Sequence, residues 1–192
     1  MKIKFLFLLM LGLLSIGLAA QAKVKVVKFS GESFECDDIT PGKTIVCKTK
    51  GQDKIKLSYS EVKYYIVPYK IYVQKDNGPA EKVDTTKTCM VPEDGREYEI
   101  RITNDSVFVA SIEKTINDVP FTDYYIFNKN NVEVLKIRET IEAINDLKKY
   151  FGGHCPEFDK LIVQYTPKFR KAKFPYGDWE DLLYNYTQHC QK

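Results

Sequence analysis

The sequence predicts an α+β protein: an antiparallel β body of about eight or nine strands followed by three C-terminal helices. Three observations lead there. Short runs rich in Val, Ile, Tyr and Phe alternate with polar neighbours from residue 24 onward. Turn residues divide those runs at short intervals. After Phe127 the apolar period changes from two residues to 3.6.

Each element follows in order. Residues 1–22 read as a secretory leader: Lys2 and Lys4 supply the positive start, 5–18 is apolar, and Ala20 and Ala22 are small residues three and one positions before a cut after Ala22. The apolar run is shorter than the roughly 20 residues a membrane-spanning helix needs. The residue directly after the cut is Lys23, not the cysteine that a lipid anchor would need. The expected destination is therefore the periplasm, the cell envelope or the medium.

Residues 23–128 are the expected β body. Strands are predicted at 24–29, 33–36, 44–49, 54–59 and 63–73, separated by Ser30-Gly31, Pro41-Gly42 and Gly51-Gln52-Asp53. Phe34/Cys36, Ile45/Cys47 and Ile55/Leu57/Tyr59 alternate with polar residues, so one face is buried and the other wet. Pro68 predicts a bend between two strands, because proline cannot donate to a ladder. Whether 23–75 forms a separate small barrel stays open. Residues 76–97 lack clear periodicity and read as an irregular excursion with a poorly marked strand inside. Strands resume at 98–103, 107–112 and 124–127, with Asn104-Asp105 as a hairpin turn.

Residues 129–192 are the expected helical tail, packed on the β body. Val134, Ile137, Ile141, Ile144, Leu147 and Phe151 fall on one helical stripe, capped by Asn128 or Asn130 and ended by Gly152-Gly153. Pro156 opens a second helix with Phe158, Leu161, Ile162 and Tyr165 on its apolar face, and Pro167 is expected to stop it. Asp178 opens a third, in which Trp179, Leu182, Leu183, Tyr186 and Cys190 share a face.

Five cysteines in an exported chain read first as disulfides, with one left over. Cys155 and Cys190 both fall on apolar helix faces and are the favoured pair. His154 and His189 precede them, yet adjacent His-Cys is an unusual ligand spacing, so a zinc site is disfavoured. Cys36 and Cys47 lie on the inward faces of what read as neighbouring strands, either bridged or simply packed. Cys89 is the unpaired thiol. A nucleophilic role for it would need a nearby histidine, and both histidines lie more than sixty residues away in sequence.

Other features carry less. The formal net charge is only +3, two of whose cations are in the leader, so no basic face marks nucleic acid as a partner. Gly-x-Ser-x-Gly, phosphate-cradling glycine loops and His-Glu-x-x-His are all missing, and no cofactor is expected. Glu32/Glu35 and Glu180/Asp181 read as surface charges. The stretch 166–177, with four cations and three aromatics, reads as a solvated connector. Thirteen tyrosines, among them Tyr64-Tyr65, Tyr69/Tyr72 and Tyr124-Tyr125, fit sheet packing better than an aromatic platform. Asn104-Asp105-Ser106 and Asn185-Tyr186-Thr187 match the glycosylation sequon, relevant only in a eukaryotic host.

The order of strands from Val26 to Tyr65, with Lys54-Ile-Lys-Leu57 and Glu61-Val-Lys-Tyr-Tyr65, precedes Asp146-Leu-Lys-Lys-Tyr-Phe151, Cys155-Pro-Glu-Phe158 and Leu182-Leu-Tyr-Asn-Tyr186. This layout resembles uncharacterised secreted proteins of the Bacteroidota that join a β-rich N-terminal part to a helical tail. The resemblance implies the architecture and assigns no site residue or activity. The expected function is an exported non-enzymatic module binding a protein or glycan partner at the cell envelope. The alternative is an exported hydrolase whose carboxylate or cysteine site forms only in three dimensions.

Overall fold

The computed structural model describes residues 22–74, 79–137, 142–171 and 176–191, with backbone only for 169–171 and 176. The expected leader thus lies outside the described residues. Eleven strands and three helices are described. They are β1 (Val24–Lys28), β2 (Ser33–Cys36), β3 (Asp38–Thr40), β4 (Thr44–Lys48), β5 (Ile55–Ser58), β6 (Val62–Val73) and β7 (Glu81–Met90). Then come β8 (Tyr98–Thr103), β9 (Val107–Ile116), β10 (Val119–Asn128), β11 (Glu133–Ile137), α1 (Glu142–Phe151), α2 (Pro156–Lys171) and α3 (Tyr176–Cys190). The fold is α+β with a β-rich body and C-terminal helices.

Eight strands form one antiparallel sheet in the order β11-β10-β9-β8-β7-β6-β1-β2, and β3-β4-β5 form a second. Residues 23–75 are therefore no separate barrel: β1, β2 and β6 belong to the large sheet. Register fixes the large sheet's faces, because directly paired residues point the same way. Tyr65, Cys89, Glu99, Ser111, Tyr124 and Ile137 make one continuous row.

Both covers lie on that face. Around Tyr65 and Cys89 the small sheet contributes Ile45, Cys47 and Leu57 to one core. Around Tyr124 and Ile137 the helices contribute Leu147, Phe151, Phe158, Trp179, Leu182 and Tyr186 to another. On the opposite face Met90, Tyr98, Phe108, Ala110, Tyr125 and Phe127 form a third cluster. There the Tyr98 ring stands edge-on to Tyr125 and Phe127, with centroids 5.4 and 5.2 Å apart.

Several local expectations change. Residues 133–137 form β11, not the first turns of a helix. Asn131 adopts φ 60°, and the Asn128 side chain accepts the amides of Asn130 and Val132, so the chain turns back on β10. Pairing along β10 then overrides the helical stripe over 133–137, and α1 is described from Glu142, with 138–141 outside the described residues. Its end is as read: Gly153 has φ +78°, and a side chain on Gly152 would collide with the Lys148 carbonyl.

Pro167 does not stop α2. The hydrogen bond it forfeits is to the carbonyl of Val163, on the helix's wet side where Val163 is 72% exposed, rather than in the core. Pro68 does not split β6 either. The last β1 partner of β6 is Ile66, so beyond it that edge is open and proline is tolerated. Residues 68–73 and 81–86 form an exposed two-stranded arm. A second long hairpin, β9–β10, turns through Asn117 and Asp118, both with positive φ.

On the outer side of that hairpin's base, Asp123 takes Lys114 at 2.6 Å and Lys136 at 2.9 Å. Burial works against its charge, but the two ammonium groups outweigh it and hold the carboxyl below the usual aspartate range. Its stabilising contribution is present above the ordinary aspartate pKa and fades as pH falls through the lowered folded value. Asp123→Asn should therefore cost about 1–2 kcal/mol at neutral pH, mostly from Lys114, since Lys136 is half exposed. In urea titrations from pH 7 to pH 2, the gap from wild type should close at the acid end.

Candidate functional site

A cleft of about 680 Å³ opens where four connections converge. Phe29 comes from the β1–β2 turn, and Tyr59 with Ser60 from the β5–β6 turn. The β7–β8 loop supplies Val91 to Asp94, and the end of β10 and its turn supply Phe127 and Asn130 to Glu133.

Each segment is held by its own hydrogen bonds. The Glu61 side chain accepts the Ser58 amide at 2.7 Å, and its carbonyl takes the Phe29 amide at 3.0 Å, joining two walls. In the β7–β8 loop Asp94 accepts the Arg96 amide at 2.9 Å and the Tyr98 hydroxyl at 2.7 Å. The buried Asn131 amide donates to the carbonyls of Val62, at 3.4 Å, and Lys63, at 2.8 Å. Since β7, β8 and β9 stand between β6 and β10, this contact requires the sheet to coil back on itself. The cleft is the mouth of that coil.

Phe29, Tyr59, Val91, Phe127 and Val132 make its walls apolar, and Glu93, Asp94 and Glu133 make it acidic, with no lysine or arginine among the described lining residues. Asp94 is committed to Tyr98 and Arg96. Among the described residues, the side chains of Glu93 and Glu133 have no hydrogen-bond or ion-pair partner. Concave apolar walls with a few convergent polar groups are the usual build of a ligand site.

The residues singled out from sequence lie elsewhere. Cys155 and Cys190 are joined by a disulfide that ties the start of α2 to the end of α3. His154 and His189 flank it, exposed. Cys36, Cys47 and Cys89 are free thiols in the core beneath the small sheet. Cys36 and Cys47 are not on paired strands: β2 belongs to the large sheet and β4 to the small one. They meet because the chain steps from one sheet to the other at Asp37.

Cys89 lies near Glu97, whose carboxylate accepts the Tyr65 hydroxyl and faces Lys87 at 3.5 Å. Burial, and then the carboxylate of Glu97, push its thiol up to about 12. That environment suppresses the thiolate a nucleophile needs.

Glu180 is no surface charge. Its carboxylate accepts Arg101 Nη2 at 2.5 Å and the Tyr124 hydroxyl, fastening α3 to β8 and β10. Of the tyrosine pairs, Tyr65, Tyr124 and Tyr125 are buried, and they contribute no platform. Lys168 pairs with Asp178 at 2.6 Å, while 172–175 of the basic connector lie outside the described residues. No group of three or more His, Cys, Asp and Glu side chains among the described residues is placed to hold a metal ion.

The cleft residues escaped the sequence reading. Its only local hints were Asp94-Gly95 and the polar run around Asn130, both legible as turns and neither as parts of one site. Comparison with known protein families, with curated proteins and with solved structures found no match.

Proposed function

We propose that this chain is an exported, non-enzymatic module that binds a partner protein by taking one of its basic side chains into the cleft. The observation that carries the reading is the pairing of apolar walls with two unpartnered carboxylates, Glu93 and Glu133, and no lining cation. A lysine or arginine offers a long apolar stem ending in a cation, which matches both features. Export is supported by the leader read in residues 1–22 and by the Cys155–Cys190 disulfide. No helix among the described residues is long and apolar enough to cross a membrane. The hydrolase reading loses support at Cys89, whose surroundings oppose thiolate formation.

The test is an NMR titration with two short peptides, acetyl-Phe-Lys-amide and acetyl-Phe-Gln-amide, and with chitotriose as the glycan arm. Amides of 91–94 and 130–133 should shift with the lysine peptide and far less with its glutamine counterpart. Glu93→Gln and Glu133→Gln should each weaken the lysine peptide roughly tenfold, the worth of one charge-assisted hydrogen bond. Equal response to both peptides, or response to chitotriose alone, would overturn the reading.

A further inference from the structure

We propose that Cys36 and Cys47 form a second disulfide in the exported protein, fastening the small sheet to the large one, while Cys89 remains a thiol. The proposal stands on where the three sulfurs are placed, and it holds whether or not the cleft takes a basic side chain.

All three cysteines pack in one core, each at most 1% exposed, yet their partners differ. The Cys36 and Cys47 thiols influence each other directly within this core. The Cys36 thiol donates to the Asp38 carbonyl at 3.3 Å, on the strand that pairs with Cys47's strand. Backbone pairing enforces this approach. The Asp37 amide donates to the Lys48 carbonyl at 2.8 Å, and Asp38 pairs with Lys48 and Ile39 with Cys47. The two cysteines therefore each precede one partner of the Asp37–Lys48 backbone hydrogen bond, and both side chains enter the same buried core. Cys89 is on β7, turned to Glu97 instead. Metal ligation is the other use of clustered thiols, and among the described residues these sulfurs and their acidic neighbours do not converge on a common point.

The oxidant is a disulfide-bearing compound, R–S–S–R, of the class that also makes the Cys155–Cys190 bridge. One cysteine thiolate attacks a sulfur of R–S–S–R, breaking its S–S bond and releasing one RS⁻. The second cysteine thiolate attacks the protein sulfur of the mixed disulfide and releases the second RS⁻. Two electrons pass from the cysteine pair to the oxidant, and the two cysteine protons end on the two R–SH products. Timing follows from burial. In the closed core the Cys47 thiol is pushed up to about 12 by burial and then by its neighbour Cys36, so exchange belongs to the stage before the two sheets close. A bridge made then is sheltered from reductant afterwards.

Refolding the chain of residues 23–192 in oxidised and reduced glutathione, followed by non-reducing peptide mapping, tests this. Alkylation in denaturant should label Cys89 alone, with Cys36–Cys47 and Cys155–Cys190 peptides linked. Iodoacetamide without denaturant should label none of the three. Labelling of all three in denaturant, or any bridge that includes Cys89, would overturn the proposal. Cys89→Ala should leave both bridges intact. The Cys36→Ser/Cys47→Ser pair should lower Tm by roughly 5–10 °C relative to wild type, as expected for losing a short-loop bridge. An unchanged Tm counts against the proposal, and if that double variant fails to fold, the wild-type map decides alone.

Discussion

Replacing Trp179 with alanine is expected to cost about 3–5 kcal/mol of stability, in the range for deleting a fully buried aromatic side chain. Trp179 is the largest residue with no solvent exposure, at the first turn of α3, and its ring stands edge-on to Tyr124 with centroids 5.4 Å apart. The loss extends beyond a cavity. Glu180, its neighbour in sequence, holds Arg101 and the Tyr124 hydroxyl, so a shift of α3 at Trp179 strains a charged, partly buried cluster as well. Trp179→Phe keeps an aromatic ring in the site and should cost about half as much. Since the chain has one tryptophan, urea unfolding must be followed by far-ultraviolet circular dichroism in the variants. A cost under about 1 kcal/mol for the alanine variant would mean that the helices do not depend on this face of the sheet.

The same corner of the molecule shows which features a single sequence makes legible. Trp179, Leu182, Leu183 and Tyr186 are buried at helical spacing, and that period was readable because one wall, the sheet, faces the whole helix. Strands β2, β4 and β5 were readable for the matching reason: one face is covered and the other wet. Strand β7 was not. Over 81–86 it is exposed on both faces, so nothing selects apolar residues at alternate positions, and its Lys, Asp and Thr content looks like a loop. Strand β11 failed in the opposite way. Val134, Ile137 and the later apolar positions fit a helical stripe, and only pairing with the edge of β10, across the turn at 128–132, decides between the two readings.

Sites are harder to read than elements, and the cleft shows why. Phe29 and Glu133 are separated by more than a hundred residues and meet because the sheet coils until Asn131 reaches β6. Neither coiling nor the absence of a partner for Glu93 has any periodic trace. Glu180 was misread for a related reason: its partner Arg101 lies 79 positions away, and a carboxylate beside a tryptophan looks the same in sequence whether solvated or paired. The cysteines lay between these extremes. Cys155 and Cys190 fell on apolar helix faces, so their meeting was readable from period alone, while the step of the chain between two sheets that joins Cys36 to Cys47 was not.

Removing the Cys155–Cys190 disulfide, as the Cys155→Ser/Cys190→Ser variant, is expected to cost roughly 3–4 kcal/mol by the chain-entropy estimate for a closed loop of this length. The bridge spans a sequence separation of 35 and encloses all of α2 and α3 up to its last residue. It matters more here than the number alone implies. Beyond the bridge, α3 is held to β8 at its C-terminal end by the Thr187 hydroxyl to the Arg101 carbonyl at 3.5 Å and the Gln191 side chain to the Thr103 carbonyl at 3.0 Å. Both are at partly exposed positions and are worth little if the helix end frays. Without the bridge, fraying of α3 exposes Tyr186, whose ring packs edge-on against Phe151 and Phe158 and so links all three helices. The double-serine variant should therefore lose protection first in α2 and α3, with the large sheet retained. Hydrogen exchange read by mass spectrometry should show faster exchange for residues 156–171 and 179–190, and unchanged protection in β9 and β10. Uniform loss across sheet and helices would show instead that tail and sheet unfold as one unit, with the bridge acting only on the unfolded chain.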